Sequence, residues 1–215
     1  MKVCIILNGE VKDYIKTKEI ILEENYDYII GADGGCNHLF KMNIIPNYIV
    51  GDLDSIEREV IEYYENKNVI FKRYPSHKDE TDSEICIYLA KSLGADEIDL
   101  FATLGGRIDH TLANIGLMNY IKENSIRPRI LTSEEEIFMV KNETINLKGK
   151  KGDTISVISI NGESKGVTLE KLEYPLDNAI VNHLSPLGIS NVMLEDECII
   201  SIDDGCALII RNFNI

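Results

Sequence analysis

The sequence predicts an α/β domain followed by an all-β domain. Through the first two-thirds of the 215 residues, short apolar runs alternate with amphipathic segments of helical period. This alternation is typical of a mostly parallel sheet with helices on both faces. After about residue 140, short strands follow one another across Gly and Lys turns with no helical pattern, which indicates a β-sandwich. We therefore expect an α/β domain over residues 1–141 and a β-sandwich over residues 142–215.

Six apolar runs carry the predicted sheet. We interpret as buried strands VCIIL (3–7), YDYIIGA (26–32), NYIVG (47–51), VIFKRY (69–74), EIDLFAT (97–103) and RPRILT (127–132). The clearest helix between them is TDSEICIYLAKSLG (81–94), where apolar residues recur at three- and four-residue spacing. Thr81 and Glu84 form the signature of a capping box at its start, and Gly94 is a natural stop.

Charge and cysteine content exclude several classes of protein. A formal net charge of -14 argues against nonspecific binding to nucleic acid or to an anionic membrane, since both require a basic surface. No apolar run is long enough for a membrane span, and the start of the chain does not have the pattern of a signal peptide. The five cysteines include no CxxC pair, so we expect no zinc site and a cytoplasmic protein with reduced, packed thiols.

Four acidic clusters follow predicted strands. They are GADGG (31–35), GDLDSIE (51–57), KDETDSE (78–84) and GGRIDH (105–110). Each one alone is explained equally well as a helix cap or a first helical turn. Together they would lie along one edge of a parallel sheet, where uncompensated carboxylates repel one another and raise each other's pKa. A hard divalent cation with oxygen ligands, such as Mg²⁺, resolves that repulsion.

The residues around the acids are suited to phosphate groups. Glycines at 31, 34, 35, 105 and 106 would let backbone N–H groups approach phosphates, and Lys78 and Arg107 would neutralise their charge. The chain contains neither a Walker P-loop nor a dinucleotide fingerprint, and it lacks the G-x-S-x-G and HExxH motifs. Of the four histidines, only His110 lies beside the acidic edge. We interpret the edge as a nucleotide–magnesium site.

Five motifs in series resemble those of a known family. GADGGCNHL, GDLDSI, KDETDSEIC and TLGGRIDHTLANI, in that order, resemble the signature of the thiamine pyrophosphokinases, and PLGISN (186–191) resembles their thiamine-binding stretch. The resemblance covers most of the chain. It implies a homodimer that transfers pyrophosphate from ATP to the hydroxyl of thiamine, giving thiamine diphosphate and AMP. Thiamine would then lie in a site shared between subunits.

The resemblance also implies roles for individual residues. The implied magnesium ligands are Asp52, Asp54 and Asp82. Arg107 and Asp109 complete the implied catalytic set, Arg107 at the phosphates and Asp109 as a candidate base. The implied ATP-binding residues are Asp33, Gly34, Gly35, Lys78, Asp79, Thr81, Gly105, Gly106 and His110. The implied thiamine-binding residues are Ser190 and Asn191.

One departure and three alternatives stay open. Some family members stack thiamine on an aromatic just beyond the Ser–Asn pair, whereas this chain has Val192, Met193 and Leu194. Tyr174 and Phe213 are candidates for that stacking role. The first alternative is a magnesium-dependent diphosphokinase of another hydroxymethyl substrate, such as a pterin. The others are a non-catalytic thiamine or nucleotide sensor and a magnesium-dependent hydrolase.

Overall fold

The chain divides into two compact units. The computed structural model describes residues 1–213, in which the first unit is Met1–Ser133 and the second begins at Glu134. The division therefore comes earlier than the boundary after residue 141 that the sequence suggested. The reason is that residues 135–141 form a strand that pairs antiparallel with the last strand of the second unit.

The first unit is a parallel sheet interleaved with helices. Within residues 1–133, all of which are described, the elements are β1 (Lys2–Ile6), α1 (Tyr14–Glu23), β2 (Tyr28–Ala32), α2 (Gly35–Lys41), β3 (Tyr48–Gly51), α3 (Arg58–Glu65), β4 (Ile70–Arg73), α4 (Asp82–Ser92), β5 (Glu97–Phe101), α5 (Ile108–Glu123) and β6 (Arg127–Leu131). Their strand order is β4-β3-β2-β1-β5-β6, and every pairing is parallel. The six predicted strands are confirmed to within one or two residues at their ends.

The strand order creates a switch point between β1 and β5. From β1 the chain adds β2, β3 and β4 on one side, and it then crosses to add β5 and β6 on the other. With right-handed crossovers this order places α1, α2 and α3 on one face of the sheet and α4 and α5 on the other. The loops that leave β1 and β5 therefore diverge at the carboxyl edge, which is where sheets of this kind bind ligands.

Buried side chains fix the helices against this sheet. On the face that carries α2 and α3, the core includes Ile6, Leu39 and the fully buried Tyr64, whose hydroxyl donates to the Ile44 carbonyl at 2.9 Å. At the start of α4 the predicted capping box is confirmed, because Thr81 and Glu84 exchange hydrogen bonds between side chain and backbone. The acidic loops therefore project from a well-packed scaffold.

The second unit is antiparallel throughout the part of the chain that the structure describes. Its strands are β7 (Glu135–Lys141), β8 (Thr144–Lys148), β9 (Thr154–Glu170), β10 (Leu176–Asn182), β11 (Asn191–Val192), β12 (Glu197–Ser201) and β13 (Asp204–Asn212). β9 spans 17 residues. Its first part pairs with β13, and its last part pairs with β10 and β12, so one strand belongs to two sheets. Val157, Leu169 and Ile200 lie buried in the core between them, which confirms the predicted β-sandwich.

Two further expectations concern the whole described chain. None of the helices in residues 1–213 is long and apolar enough to cross a membrane. All five cysteines are buried, which confirms the expectation of packed thiols, and none forms a disulfide within that range.

Candidate active site

A cleft of about 440 Å³ opens at the carboxyl edge of the parallel sheet. Loops that leave β1, β2, β3, β4 and β5 all contribute to it, and so does the first half of α5. Its lining includes Asn8, Asp33, Ser55, Asp82, Thr103, Gly105, Arg107 and His110. The sequence-based expectation that the acidic loops share one edge is therefore matched by a single cavity at the switch point.

Asp33 lies where β2 turns into α2. Its backbone has a positive φ of 44°, which is uncommon for a residue with a side chain. The turn packs closely against the β1 backbone. A Cβ at Gly35 would lie 2.2 Å from the Ile6 carbonyl oxygen, so only glycine fits there. Asp33 Oδ1 is buried and has no hydrogen-bond partner among residues 1–213. Burial raises the pKa of this carboxyl, and hydrogen bonds from Ser55 and the Gly34 backbone only partly oppose that effect.

Asp52 and Asp54 follow β3 on a strained loop. Leu53 between them is buried and has a φ of 70°, a conformation that leucine rarely adopts. The Asp54 N–H donates to Asp52 Oδ1 at 3.2 Å, and the Ser55 hydroxyl donates to Asp54 Oδ1 at 2.9 Å. A hydrogen bond from Ser76 lowers the pKa of Asp52, which is therefore ionised at neutral pH.

Three of these carboxylates converge. One oxygen each from Asp33, Asp52 and Asp54 lie within 4.8 Å of one another, and we call this group the three-carboxylate cluster. Asp33, one member of this cluster, is the residue whose buried Oδ1 has no hydrogen-bond partner among residues 1–213. That oxygen is therefore an acceptor open to a ligand. Oxygen ligands in this number and spacing fit a divalent cation such as Mg²⁺.

Asp82, the third predicted metal ligand, has a different partner. It is the first residue of α4, and its Oδ1 accepts from Lys78 Nζ at 2.9 Å, with Lys78 largely buried. Burial lowers the pKa of Lys78, but the hydrogen bond to Asp82 and the charges of Asp82, Asp52 and Asp33 together outweigh it, so the lysine pKa is raised. Asp82 lines the cleft, although it stands outside the three-carboxylate cluster. Its role as a metal ligand stays a prediction.

The loop after β5 adds two glycines and an ion pair. Gly105 and Gly106 have positive φ values of 81° and 69°, so the backbone turns at the rim of the cleft as predicted for a phosphate-approaching loop. Arg107 donates to Asp109 through Nε at 3.1 Å and through Nη2 at 2.6 Å. This hydrogen bond lowers the pKa of Asp109 and raises that of Arg107. His110 lines the cleft beside them, while Asp79 is exposed and does not.

In the second unit, Asn191 makes its hydrogen bonds inside the protein. Only 2% of the residue is exposed. Its Oδ1 accepts from the Tyr174 N–H at 2.9 Å, and its Nδ2 donates to the Tyr174 carbonyl at 2.7 Å. Tyr174 itself is 62% exposed. Asn191 therefore holds the backbone of an exposed tyrosine, and the amide has little capacity left for a ligand.

The residues around Asn191 differ in their exposure and contacts. Ser190 is exposed and has a φ of 59°, and its N–H donates to Ser156 Oγ at 3.1 Å. Met193 is buried, whereas Leu194 is largely exposed. Of the two aromatic candidates for stacking, Tyr174 presents an open ring, while Phe213 has the Arg211 guanidinium 5.0 Å from its ring centroid.

Sequence reasoning missed several residues that line the cleft or shape it. Asn8, Ser55, Thr103 and Asn114 line the cavity, and Ser76 donates to Asp52. Their side chains are small and polar, and all of them except Asn114 of α5 lie in loops, a pattern shared by many residues with no role. Ser55 lies within the motif GDLDSI, and Thr103 and Asn114 lie within TLGGRIDHTLANI, whereas Asn8 and Ser76 lie outside the motifs.

Two family models match the chain. Residues 21–130 match the catalytic domain of thiamin pyrophosphokinase, and residues 142–207 match the vitamin B1 binding domain of the same family. Together the two models cover both units. The catalytic model includes all four acidic clusters, and the second model includes Ser190 and Asn191.

Individual relatives agree with the models. The chain is 29% identical over 213 residues to the thiamine pyrophosphokinase of Bacillus subtilis, and the match covers 99% of each chain. It is 28% identical to thiamine pyrophosphokinase 3 of Oryza sativa, covering 83% of this chain and 75% of the relative. The crystal structure of the B. subtilis protein superposes with a TM-score of 0.88 at 26% identity over the whole of both chains. That of the Candida albicans protein shows the same fold, with a TM-score of 0.84 at 22% identity, covering 99% and 89% of the chains.

Proposed function

We propose, since the chain belongs to the thiamin pyrophosphokinase family, that it is a thiamine diphosphokinase. It transfers the pyrophosphate of ATP to the hydroxyl of thiamine and releases thiamine diphosphate and AMP. The observation that carries the proposal is the convergence of Asp33, Asp52 and Asp54 beside a cleft lined by the glycines and Arg107 of the next loop. A site of this composition suits a phosphate chain with a bound divalent cation.

Magnesium is the cofactor we propose for this site. Asp52 and Asp54 would hold it, and the buried, unpartnered Oδ1 of Asp33 supports adding Asp33 to the predicted set. Asp82 would join them through its second carboxylate oxygen, since its Oδ1 is paired with Lys78. Bound magnesium would neutralise phosphate charge and polarise the phosphoryl oxygens.

Besides a cation, the transfer requires a base for the hydroxyl proton and positive charge at the phosphates, and residues of the chain would supply both. The thiamine hydroxyl oxygen forms a bond to the β-phosphorus of ATP, and the bond from that phosphorus to the α–β bridging oxygen breaks. AMP leaves with the electron pair of that bond, and the hydroxyl proton passes to a base. Arg107, which lines the cleft, and Lys78, which pairs with the cleft residue Asp82, would balance the charge of the phosphates.

Asp109 is the candidate acceptor of the hydroxyl proton. Because Arg107 lowers its pKa, Asp109 is ionised and is only a weak base. A weak base suffices, since phosphoryl transfer depends more on positioning and charge neutralisation than on activation of the nucleophile. Loss of Asp109 should therefore reduce turnover less than loss of Asp52 or Asp54.

For thiamine, we propose Ser190 and the turn that Asn191 braces. The side chain of Asn191 acts there through Tyr174, whose exposed ring offers a stacking surface to a cationic aromatic substrate. The family resemblance further supports a homodimer in which subunits share the thiamine site.

Product analysis tests the reaction directly. Purified protein is incubated with ATP, Mg²⁺ and thiamine, and nucleotides and thiamine phosphates are separated by chromatography. Equal amounts of AMP and thiamine diphosphate are expected. ADP with thiamine monophosphate would overturn the proposed bond cleavage, and AMP formation with a pterin alcohol alone would overturn the proposed acceptor.

A further inference from the structure

Asn37 of α2 connects two elements of the cleft that are far apart in sequence. Its Nδ2 donates to the Ser55 carbonyl oxygen at 2.9 Å, and its Oδ1 accepts from the Glu57 N–H at 3.0 Å. One carboxamide thus pairs with a backbone carbonyl and a backbone N–H of residues 55–57, in the way that the backbone of a neighbouring strand would. The stretch directly follows Asp54.

The backbone that Asn37 holds is under strain. Leu53 adopts its left-handed conformation between Asp52 and Asp54, and such a conformation persists only when the surrounding structure enforces it. α3, which follows this loop, begins at Arg58, and the side chain of its N-cap, Glu57, makes no capping hydrogen bond. The Asn37 amide therefore supplies a fixed polar anchor at the end of a loop that is otherwise held by the buried side chains of Leu53 and Ile56 and by the hydrogen bond from Ser76 to Asp52.

The anchor is rigid because α2 is firmly packed. Cys36 and Leu39, which flank Asn37 on this helix, are fully buried. At its start, Gly35 lies directly against the β1 backbone, where a Cβ would come within 2.2 Å of the Ile6 carbonyl oxygen. Because α2 is fixed in this way, the hydrogen bonds of Asn37 fix the backbone of Ser55 and Glu57 relative to it.

Asn37 also links the two halves of the three-carboxylate cluster. Asp33 lies at the start of the same turn and helix, whereas Asp52 and Asp54 lie on the loop that Asn37 holds. The hydroxyl of Ser55, whose carbonyl accepts from Asn37, donates in turn to Asp54. The Asp33 N–H donates to the Val50 carbonyl of β3 at 2.8 Å, and the Asn37 amide adds the side-chain link that bears on the distance between the Asp33 carboxylate and the other two.

We propose that Asn37 is a positioning residue that sets the spacing of the three-carboxylate cluster for its cation. The inference rests on the proposed magnesium site and goes beyond it, because it assigns the geometry of the site to a residue that touches neither cation nor substrate. Without the amide, the loop after β3 relaxes and the three oxygens no longer present one ligand set.

The test compares Asn37→Ala with Asn124→Ala. Asn124, at the end of α5, also makes two amide hydrogen bonds, to the Tyr120 carbonyl and from Lys91, but it lies at the opposite edge of the sheet. For Asn37→Ala we expect the Mg²⁺ concentration for half-maximal turnover to rise about tenfold, with the KM for thiamine unchanged. Asn124→Ala should lower the melting temperature to a similar extent and leave the Mg²⁺ dependence at the wild-type value.

A binding measurement separates this inference from the proposed reaction. Mn²⁺ is titrated into wild type, Asp54→Asn and Asn37→Ala by calorimetry in the presence of a non-hydrolysable ATP analogue. We expect weakening in both variants, larger in Asp54→Asn, and this result would support the positioning role even if thiamine proved to be the wrong acceptor. Asn37→Ser, whose hydroxyl satisfies only one of the two backbone groups, should give an intermediate Mn²⁺ affinity. Coincident Mn²⁺ curves for wild type, Asn37→Ser and Asn37→Ala would overturn the proposal.

Discussion

At the scale of single residues, the cluster combines charge repulsion with backbone strain. Asp33 belongs to the three-carboxylate cluster, and Leu53 lies between its other two members, Asp52 and Asp54. Both Asp33 and Leu53 have a positive φ. Strained backbone of this kind is concentrated at functional sites, where it costs about 1–3 kcal/mol per residue. The cluster is therefore expected to be poorly stable by itself and to gain stability when a cation is bound.

Asp54→Asn tests that expectation. We expect turnover to be lost because a ligand to the cation is removed, while the fold stays intact because Asp54 is exposed. Without metal, the variant should melt at or slightly above the wild-type temperature, since one of three repelling charges is gone. Added Mg²⁺ with nucleotide should stabilise the variant less than wild type, as followed by thermal unfolding. Glu62→Gln on α3 is the control, and unchanged turnover in Asp54→Asn would refute the metal assignment.

His38 gives a pH-dependent prediction. Its Nδ1 accepts from the Tyr14 hydroxyl at 2.7 Å, so its Nε2 carries the proton that is donated to the Gly9 carbonyl at 2.9 Å. Burial lowers the pKa of His38 from its ordinary 6.5. The folded protein therefore binds this proton less readily than the unfolded chain, and the stability from neutral His38 is present above pH 6.5 and is lost as the pH falls through the folded pKa.

His38→Gln should accordingly flatten the acid side of the stability profile. Denaturant unfolding at pH 7.5 and pH 5.5 is compared between the variant and wild type. We expect the loss of unfolding free energy between these pH values to be smaller in the variant, by about 1 kcal/mol. His183→Gln, at an exposed position, serves as the control and should follow wild type. An identical pH dependence in His38→Gln and wild type would contradict the assignment.

At the scale of elements, one buried carboxylate connects the strands β1, β5 and β6 with the segment that precedes β2. Asp99 of β5 is 2% exposed. It accepts from Arg129 of β6 at 3.0 and 2.7 Å and from the Tyr26 hydroxyl just before β2 at 2.6 Å, and Lys2 of β1 lies 3.5 Å away. Arg129 also reaches Glu24 at the end of α1. The hydrogen bond to Asp99 is the main effect that keeps Arg129 protonated against its burial.

Asp99→Ala should therefore destabilise the first unit strongly. It leaves two cations and a tyrosine hydroxyl without their shared acceptor, and breaking a buried pair in this way costs about 3–5 kcal/mol. The measurement is urea unfolding at pH 7. Glu62→Ala, which removes the exposed pair with Arg58, should cost less than about 1 kcal/mol. A similar small loss in both variants would mean that the network contributes no more than a surface ion pair.

The elements also show how far the sequence could lead. The positions of six strands and the Thr81 capping box were predictable, because periodicity and caps are local properties, but β4 was expected to be buried and instead has no buried residue, since it lies at the edge of the sheet. The double pairing of β9 was not, since a strand shared by two sheets depends on tertiary contacts. The family resemblance implied Asp82 as a magnesium ligand with Asp52 and Asp54, and that role stays a prediction; in the structure Asp82 pairs with Lys78, and Asp33 lies in the three-carboxylate cluster. Carboxylates can be assigned to one edge from their strands, but their mutual distances depend on how each loop turns.

At the scale of the whole molecule, the proposed homodimer makes a quantitative prediction. Asp54→Asn removes the cation site, and Asn191→Ala removes the two hydrogen bonds that hold Tyr174, so each homodimer should be inactive. If subunits share the thiamine site, a mixed dimer contains one doubly altered site and one site with both residues intact. Random exchange of equal amounts makes half of the dimers mixed, so about a quarter of wild-type activity should return.

The variants are mixed under conditions that allow subunit exchange, and turnover is compared with each variant alone and with a wild-type sample diluted to the same fraction. A mixture that exchanges subunits yet stays inactive would show that each subunit carries its own complete site, because then every site retains one of the two substitutions.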